Sequence, residues 1–262
     1  SDTTIYFVYG NGGVTTSQEH VSGTWGDSFS HVYHCGEGGG TLYDSVGNGN
    51  LTAERSPTYG ATGQIGGCIE LDSAATQQLH GFSPSVTTPP FTVSAWTNSN
   101  DASKTMVAAS LYYDSDNYHW LKVSSSSVGA RTEAGGSHDD AATTQGITTD
   151  AWHHAVAVHS ASNSRAAYLD GGNKGTNVTD LTATEPDEID IGVRASYGYF
   201  DGGIDEIHIS SIARDDEWIA TSYNNQSDPE PGGAFWSAQV TEPGTGQTHS
   251  CIRSDDTPEL EP

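Results

Sequence analysis

The chain has 262 residues, with 9 Lys+Arg against 34 Asp+Glu, a formal net charge of -25 and 34% hydrophobic residues. Nucleic acid is excluded as a partner, because each phosphate approached would add repulsion. Mean hydropathy is -0.51 and no apolar run approaches the roughly 18 residues of a membrane span, so no membrane insertion is expected. Such a chain repels itself in dilute buffer and is relieved by salt, which points to a high-salt habitat. Abundant Gly, Ser, Thr and Asp point to an extracellular or cell-surface protein. No charged-then-apolar leader opens the sequence, so the chain reads as a mature product or an excised fragment.

In chain order, "TTIYFVYGN" (residues 3–11) predicts a short strand ending in a turn, and a polar stretch runs to Gly26. "SFSHVYHCGEGGG" reads as a strand entering a glycine loop. "TLYDSVGNGNLTAE" is a strand interrupted by strong turn chemistry, "GGCIELD" is a further strand, and "SAATQQLHGF" reads as a single helical turn. From Phe91 the alternation becomes regular. "FTVSAWTN" places Phe91, Val93 and Ala95 on one face, and "TMVAASLYYD", "NYHWLKVSS", "SVGARTEAG", "WHHAVAVHS", "SRAAYLDG", "DEIDIGVR" and "IDEIHISS" follow. Many short strands between Asp, Ser, Asn and Gly clusters mean a sandwich or barrel. "RDDEWIATSYNNQ" predicts the one helix, with Asp215 and Asp216 at its first turn and Trp218, Ile219 and Tyr223 as its buried stripe. "FWSAQV" is a possible strand, and a Pro-, Gly- and acid-rich tail closes the chain.

In that order, "FTVSAWTN", "WHHAVAVHS", "RAAYLDGG", "IDIGVR", "YFDGGIDEIHI" and "RDDEWIATSYNNQ" resemble the laminin-G-like, concanavalin A-like jelly-roll domains from about Phe29 to Gln226. The flanks "TTIYFVYGN" and "FWSAQV" resemble those of prokaryotic surface proteins in which a short β-domain precedes such a jelly roll. The resemblance implies an all-β, two-sheet antiparallel jelly-roll β-sandwich with one short C-terminal helix and one often ligand-facing concave sheet. The expected division is an N-terminal strand and linker over 1–26, the jelly roll over 27–240 and an acidic tail over 241–262.

Glycosidases with this jelly roll carry Glu-x-Asp-x-x-Glu or Glu-x-Asp-x-Glu on one strand. Here Glu188 and Asp190 supply the first two carboxylates, but the third position falls on Gly192 or Val193. Without a proton donor the pair reads as the wet face of a structural strand, and no enzyme activity is expected.

The resemblance also suggests a structural calcium. Asp44, Asn48 and Asn50 in "YDSVGNGN" and Asp205 in "IDEIHI" are the implied oxygen ligands, with a plain turn hydrogen-bonding its own backbone as the alternative. Aromatic rings with Asp/Asn nearby are what sugars require. Tyr113, Asp116, Tyr118 and Trp120 in "LYYDSDNYHWLKV" form one candidate ligand patch, and Tyr197 and Tyr199 in "SYGYFDGG" a second. Alternation sets Tyr118 and Trp120 on one face, His119 and Leu121 on the other.

Cys35 and Cys68 are a candidate disulfide, and Cys251 is left over. The histidines show no convergent metal set: His31 and His34 are predicted to point opposite ways. Asn50, Asn177 and Asn225 begin glycosylation sequons, with Asn177 expected on an exposed loop. These readings combine into a non-catalytic recognition or adhesion module for carbohydrate or cell-surface glycan. The alternative is a structural subunit that joins copies of itself into a filament by N-terminal strand addition.

Overall fold

The structure, a computed structural model, describes residue 13, residues 20–82 and 84–227, and the backbone of 236–241 and 248–252. In chain order the elements are α1 (Val21–Trp25), β1 (Phe29–Tyr33), β2 (Thr41–Leu42), β3 (Leu51–Glu54), β4 (Thr58–Thr62), β5 (Gly67–Leu71), β6 (Gln78–Phe82), β7 (Phe91–Ser99), β8 (Met106–Asp114) and β9 (Asn117–Val123). They continue with β10 (Val128–Ala134), β11 (Ser137–Ala142), β12 (Trp152–Ala161), β13 (Ser164–Leu169), β14 (Gly172–Asn177), β15 (Glu188–Ile191), β16 (Gly202–Ser210), α2 (Asp216–Ser227), β17 (Trp236–Thr241) and β18 (Thr248–Ile252). His20–Ala220 form one compact unit. Ser1–Glu19 and Thr221–Pro262 group as another, in which β17 and β18 pair as an antiparallel hairpin.

The expected sandwich is present as two antiparallel sheets. The first runs β14-β13-β12-β7-β16-β5-β4, with β1 also pairing β16, and the second runs β11-β10-β9-β8-β15-β6-β3-β2. Period-two alternation builds the layer between them. Phe91, Val93 and Ala95 of β7 and Ile207 and Ile209 of β16 meet Leu111, Leu121 and Ile189 of the second sheet in one buried cluster. The first turn of α2 packs on the other face of the first sheet. Ile219 is fully buried there beside Val156, Val158, Ala166 and Tyr168, and Asp215 Oδ1 accepts the Trp218 N–H at the helix start, 2.8 Å away.

Three readings change. "SAATQQLHGF" holds a turn and then strand β6 instead of a helical turn, and the polar stretch before Gly26 contains α1. The strands β4, β11, β14 and β18 also had no sequence counterpart. The expected N-terminal strand at residues 3–11 lies outside the described residues, as does most of the acidic tail. Among the described residues, no helix is long and apolar enough to cross a membrane.

Candidate functional site

The outer face of the second sheet is built from the alternate residues that the core does not take. On β9 these are Tyr118 and Trp120, which form a separate cluster with Val107 and Tyr112, while Leu121 enters the core. Trp120 lies opposite Ser110 on β8 and Arg131 on β10. Asp190 on β15 lies opposite both Ser110 and His80, and Glu188 opposite Tyr112 and Phe82.

The two ligand patches expected from the sequence meet here. The loop after β15 folds Tyr197 over the face, so that its ring stacks on Trp120 at 6.0 Å and 23°. Tyr197 is 52% exposed, whereas Trp120 beneath it is buried. The loop is held by reciprocal backbone bonds between Arg194 and Tyr197 (3.1 and 2.8 Å) and by the Val107 N–H donating to the Gly198 carbonyl. Gly198 has φ +69, and a Cβ there would stand 3.0 Å from a Val107 methyl, so the turn requires glycine.

Arginines pack among these rings. Arg194 lies 4.3 Å from the Tyr118 ring centroid and 5.5 Å from those of Trp120 and Tyr197. Arg131 covers Trp120 at 4.8 Å. Its charge is matched by Asp140, which also binds Lys122. Glu133 accepts the Tyr118 hydroxyl, and burial followed by that bond pushes the phenol up to about 12. Two donors are left over: Trp120 Nε1 and Arg194 Nε are buried with no hydrogen-bond partner. Orphaned buried donors are uncommon in a finished structure.

The face continues toward Phe82, which is 68% exposed and meets His80 edge-on at 4.4 Å. His80 Nδ1 is 2.9 Å from Asp190 Oδ1. Burial pushes Asp190 up to about 6 against the pull of that bond. The polar strip between the two exposed rings therefore holds a carboxyl that takes a proton close to neutrality.

Residues 72–220 match the laminin-G profile of the concanavalin A-like lectin/glucanases superfamily. The chain belongs to this superfamily. Domain 4 of AbnA, a GH43 extracellular arabinanase from Geobacillus stearothermophilus solved with arabinotriose, is similar at TM-score 0.59 and 21% identity, over 74% of this chain and 97% of that one. The binding domain of botulinum neurotoxin serotype D gives 0.61 and 13%, over 76% of this chain and 52% of that one. The binding domain of Paraclostridial Mosquitocidal Protein 1 gives 0.59 and 13%, over 86% and 64%. The chain thus spans about half the length of the botulinum binding domain. At such identities the likeness establishes the fold. A comparison with curated proteins gives no match.

Within this superfamily frame the other expected residues fall as follows. Tyr113 and Asp116 are exposed at the β8–β9 turn, beyond the register of Trp120, and Tyr199 is half-buried. Gly192, where a glycosidase would place its acid, has φ +81, and Val193 is buried. Asp205 and Glu206, two other carboxylates that could in principle donate the proton, are on β16 of the other sheet.

The four implied calcium ligands do not fit one ion. Both oxygens of Asp44 are taken by N–H donors: Val32 and Val46 on one, Asn48, Gly49 and the His31 ring on the other. Asn48 donates to the Ser30 carbonyl, and Asn50 accepts the Asp44 N–H. This is the plain turn. Asp205 belongs to a separate set, accepting the Ile65 and Glu206 N–H groups, with burial pushing it up to about 7.

Cys35 and Cys68 are both buried free thiols, which corrects the expected disulfide. Each sulfur faces a backbone carbonyl instead, those of Tyr33 and Thr62. Asn177 is half-buried at the end of β14, where its oxygen accepts from Arg165, so it is not an open loop site. Asn50 is exposed, and Asn225 is on α2.

Sequence reading missed Arg194, Arg131, His80 and Phe82 as members of this face. Arg194 and Phe82 left a signal. Lys and Arg number only 9 in the chain, so a basic residue beside an aromatic loop is conspicuous, and Phe82 falls on the wet parity of its strand.

Proposed function

We propose that the protein is a non-catalytic glycan-recognition module, secreted or surface-displayed, that binds sugar on the outer face of its second sheet. The observation that carries this reading is the open Tyr197 ring stacked on Trp120, with the Arg194 guanidinium packed against it. A sugar ring lays its apolar C–H face on Tyr197. Phe82, the second exposed ring, suits a chain of several sugars crossing the Ser110–Asp190–His80 strip. The arabinotriose-bound domain of the arabinanase supports glycan as the ligand class.

The test is calorimetric titration with a panel of oligosaccharides that includes arabino-oligosaccharides, using wild type, Tyr197→Ala and Arg194→Gln. A ligand in the panel should bind wild type and lose about tenfold or more on Tyr197→Ala. No binding across the panel, or equal binding by Tyr197→Ala, refutes the site. Release of reducing ends that Glu188→Gln abolishes would instead make the protein a glycosidase.

A further inference from the structure

The strand β16 does not keep strict alternation. Ile204, Ile207 and Ile209 all enter the core, although the first two are three residues apart. The ladder to β7 accommodates this with a register shift between Asp205 and His208, and Glu206 takes φ +47, a left-handed conformation unusual for a glutamate. The bulge brings Glu206 out onto the face that His208 already occupies. His34, immediately after β1, reaches the same place because β1 pairs with this part of β16, Tyr33 lying opposite Ile207.

The result is a compact donor set. His34 Nδ1 is 2.9 and 3.1 Å from the two Glu206 oxygens, and His208 Nε2 is 3.0 Å from Oε2. One ligand atom from each of the three residues lies within 4.8 Å of the others. We propose that His34, Glu206 and His208 form a binding site for a divalent transition-metal ion of the zinc type.

Two imidazole nitrogens and a carboxylate are the donors such ions select, whereas calcium asks for six to eight oxygens. Tetrahedral ligands of one ion, each about 2.0–2.2 Å from it, stand about 3.3–3.6 Å apart, so these contacts need open by only a few tenths of an ångström for the ion to replace the protons now shared between these groups. The rings are already oriented. Trp25 packs on His34 at 5.3 Å and on His208 at 5.8 Å, and Phe29 meets His208 at 5.8 Å. Glu206 and His208 have side chains only 6% and 7% exposed, but that of His34 is 42% exposed, which gives an entry path. Three protein ligands leave a position for water, as in open metal sites.

The experiment uses the full chain without a histidine tag, stripped with chelator. Zinc is titrated against a competing indicator, and cobalt is followed by its visible absorption. One equivalent of zinc should bind, and His34→Ala and His208→Ala should each weaken it by about tenfold or more. His80→Ala, in the other cluster with Glu188 and Asp190, should leave the affinity unchanged. If His208→Ala does not fold, the more exposed His34→Ala carries the test. Absence of stoichiometric zinc binding overturns the proposal. So does binding that His34→Ala leaves intact, or that His80→Ala removes.

Discussion

Replacing Asp190 by asparagine should stabilise the protein above neutrality and leave it unchanged in acid. The carboxyl sits on β15 between β8 and β6, its side chain 6% exposed, with His80 as its partner. Burial lifts its pKa from 3.8 to about 6, and Glu188 and Glu54 push in the same direction. A raised folded-state value means that protonation favours the native state. The favourable contribution is fully present below about pH 4 and is lost as the pH rises through about 6. The displacement corresponds to about 3 kcal/mol of cost for the charged form at pH 8. Asparagine keeps an oxygen for the His80 N–H and carries no charge. The expected gain is therefore about 3 kcal/mol at pH 8, or about 8 °C in Tm for a domain of this size, shrinking to nothing near pH 4. Urea unfolding of both proteins across that range, followed by circular dichroism, measures the difference, since the titrating groups that do not interact with Asp190 cancel. A variant no more stable than wild type at pH 8, or a gap independent of pH, refutes the argument.

Gly175→Ala should cost about 3 kcal/mol or more, because the added Cβ runs into the Ala142 carbonyl between β14 and β11; the midpoint of urea unfolding reads it. Ile219→Ala removes the fully buried side chain that seats α2 on the first sheet and should cost about 2–4 kcal/mol by the same measurement. Cys35 and Cys68 should resist alkylation in the native protein, because burial leads the effects that push both thiols up. Both should label after unfolding without any reductant, as mass spectrometry of the peptides will show.

What the sequence disclosed follows from how strongly each residue's environment repeats. The central strands declare themselves because both parities are specified. Phe91, Val93 and Ala95 had to share the core, and Tyr118 and Trp120 had to share the opposite face from Leu121. The strands β11 ("SHDDAA") and β14 ("GNKGTN") stand at the edges of their sheets and are largely solvated, so no apolar alternation marks them. The meeting of Tyr197 with Trp120 was hidden because it joins residues far apart in the chain through a glycine-dependent turn. Glu206 was hidden by an assumption of even alternation, although the spacing of Ile204 and Ile207 already announced an extra residue. Asp44 looked like a cation ligand because a carboxylate among glycines and asparagines reads the same whether its oxygens face an ion or, as here, a ring of backbone N–H groups.

The loop carrying Tyr197 is pinned at both ends, by the Ser110 hydroxyl donating to the Val193 carbonyl and by Val107 donating to Gly198. An arriving molecule meets a surface already set in its final shape. For the glycan binding proposed above, association then runs at the pace of diffusion and collision geometry, with no waiting step for rearrangement. Selectivity among similar guests is consequently written in how long each one stays.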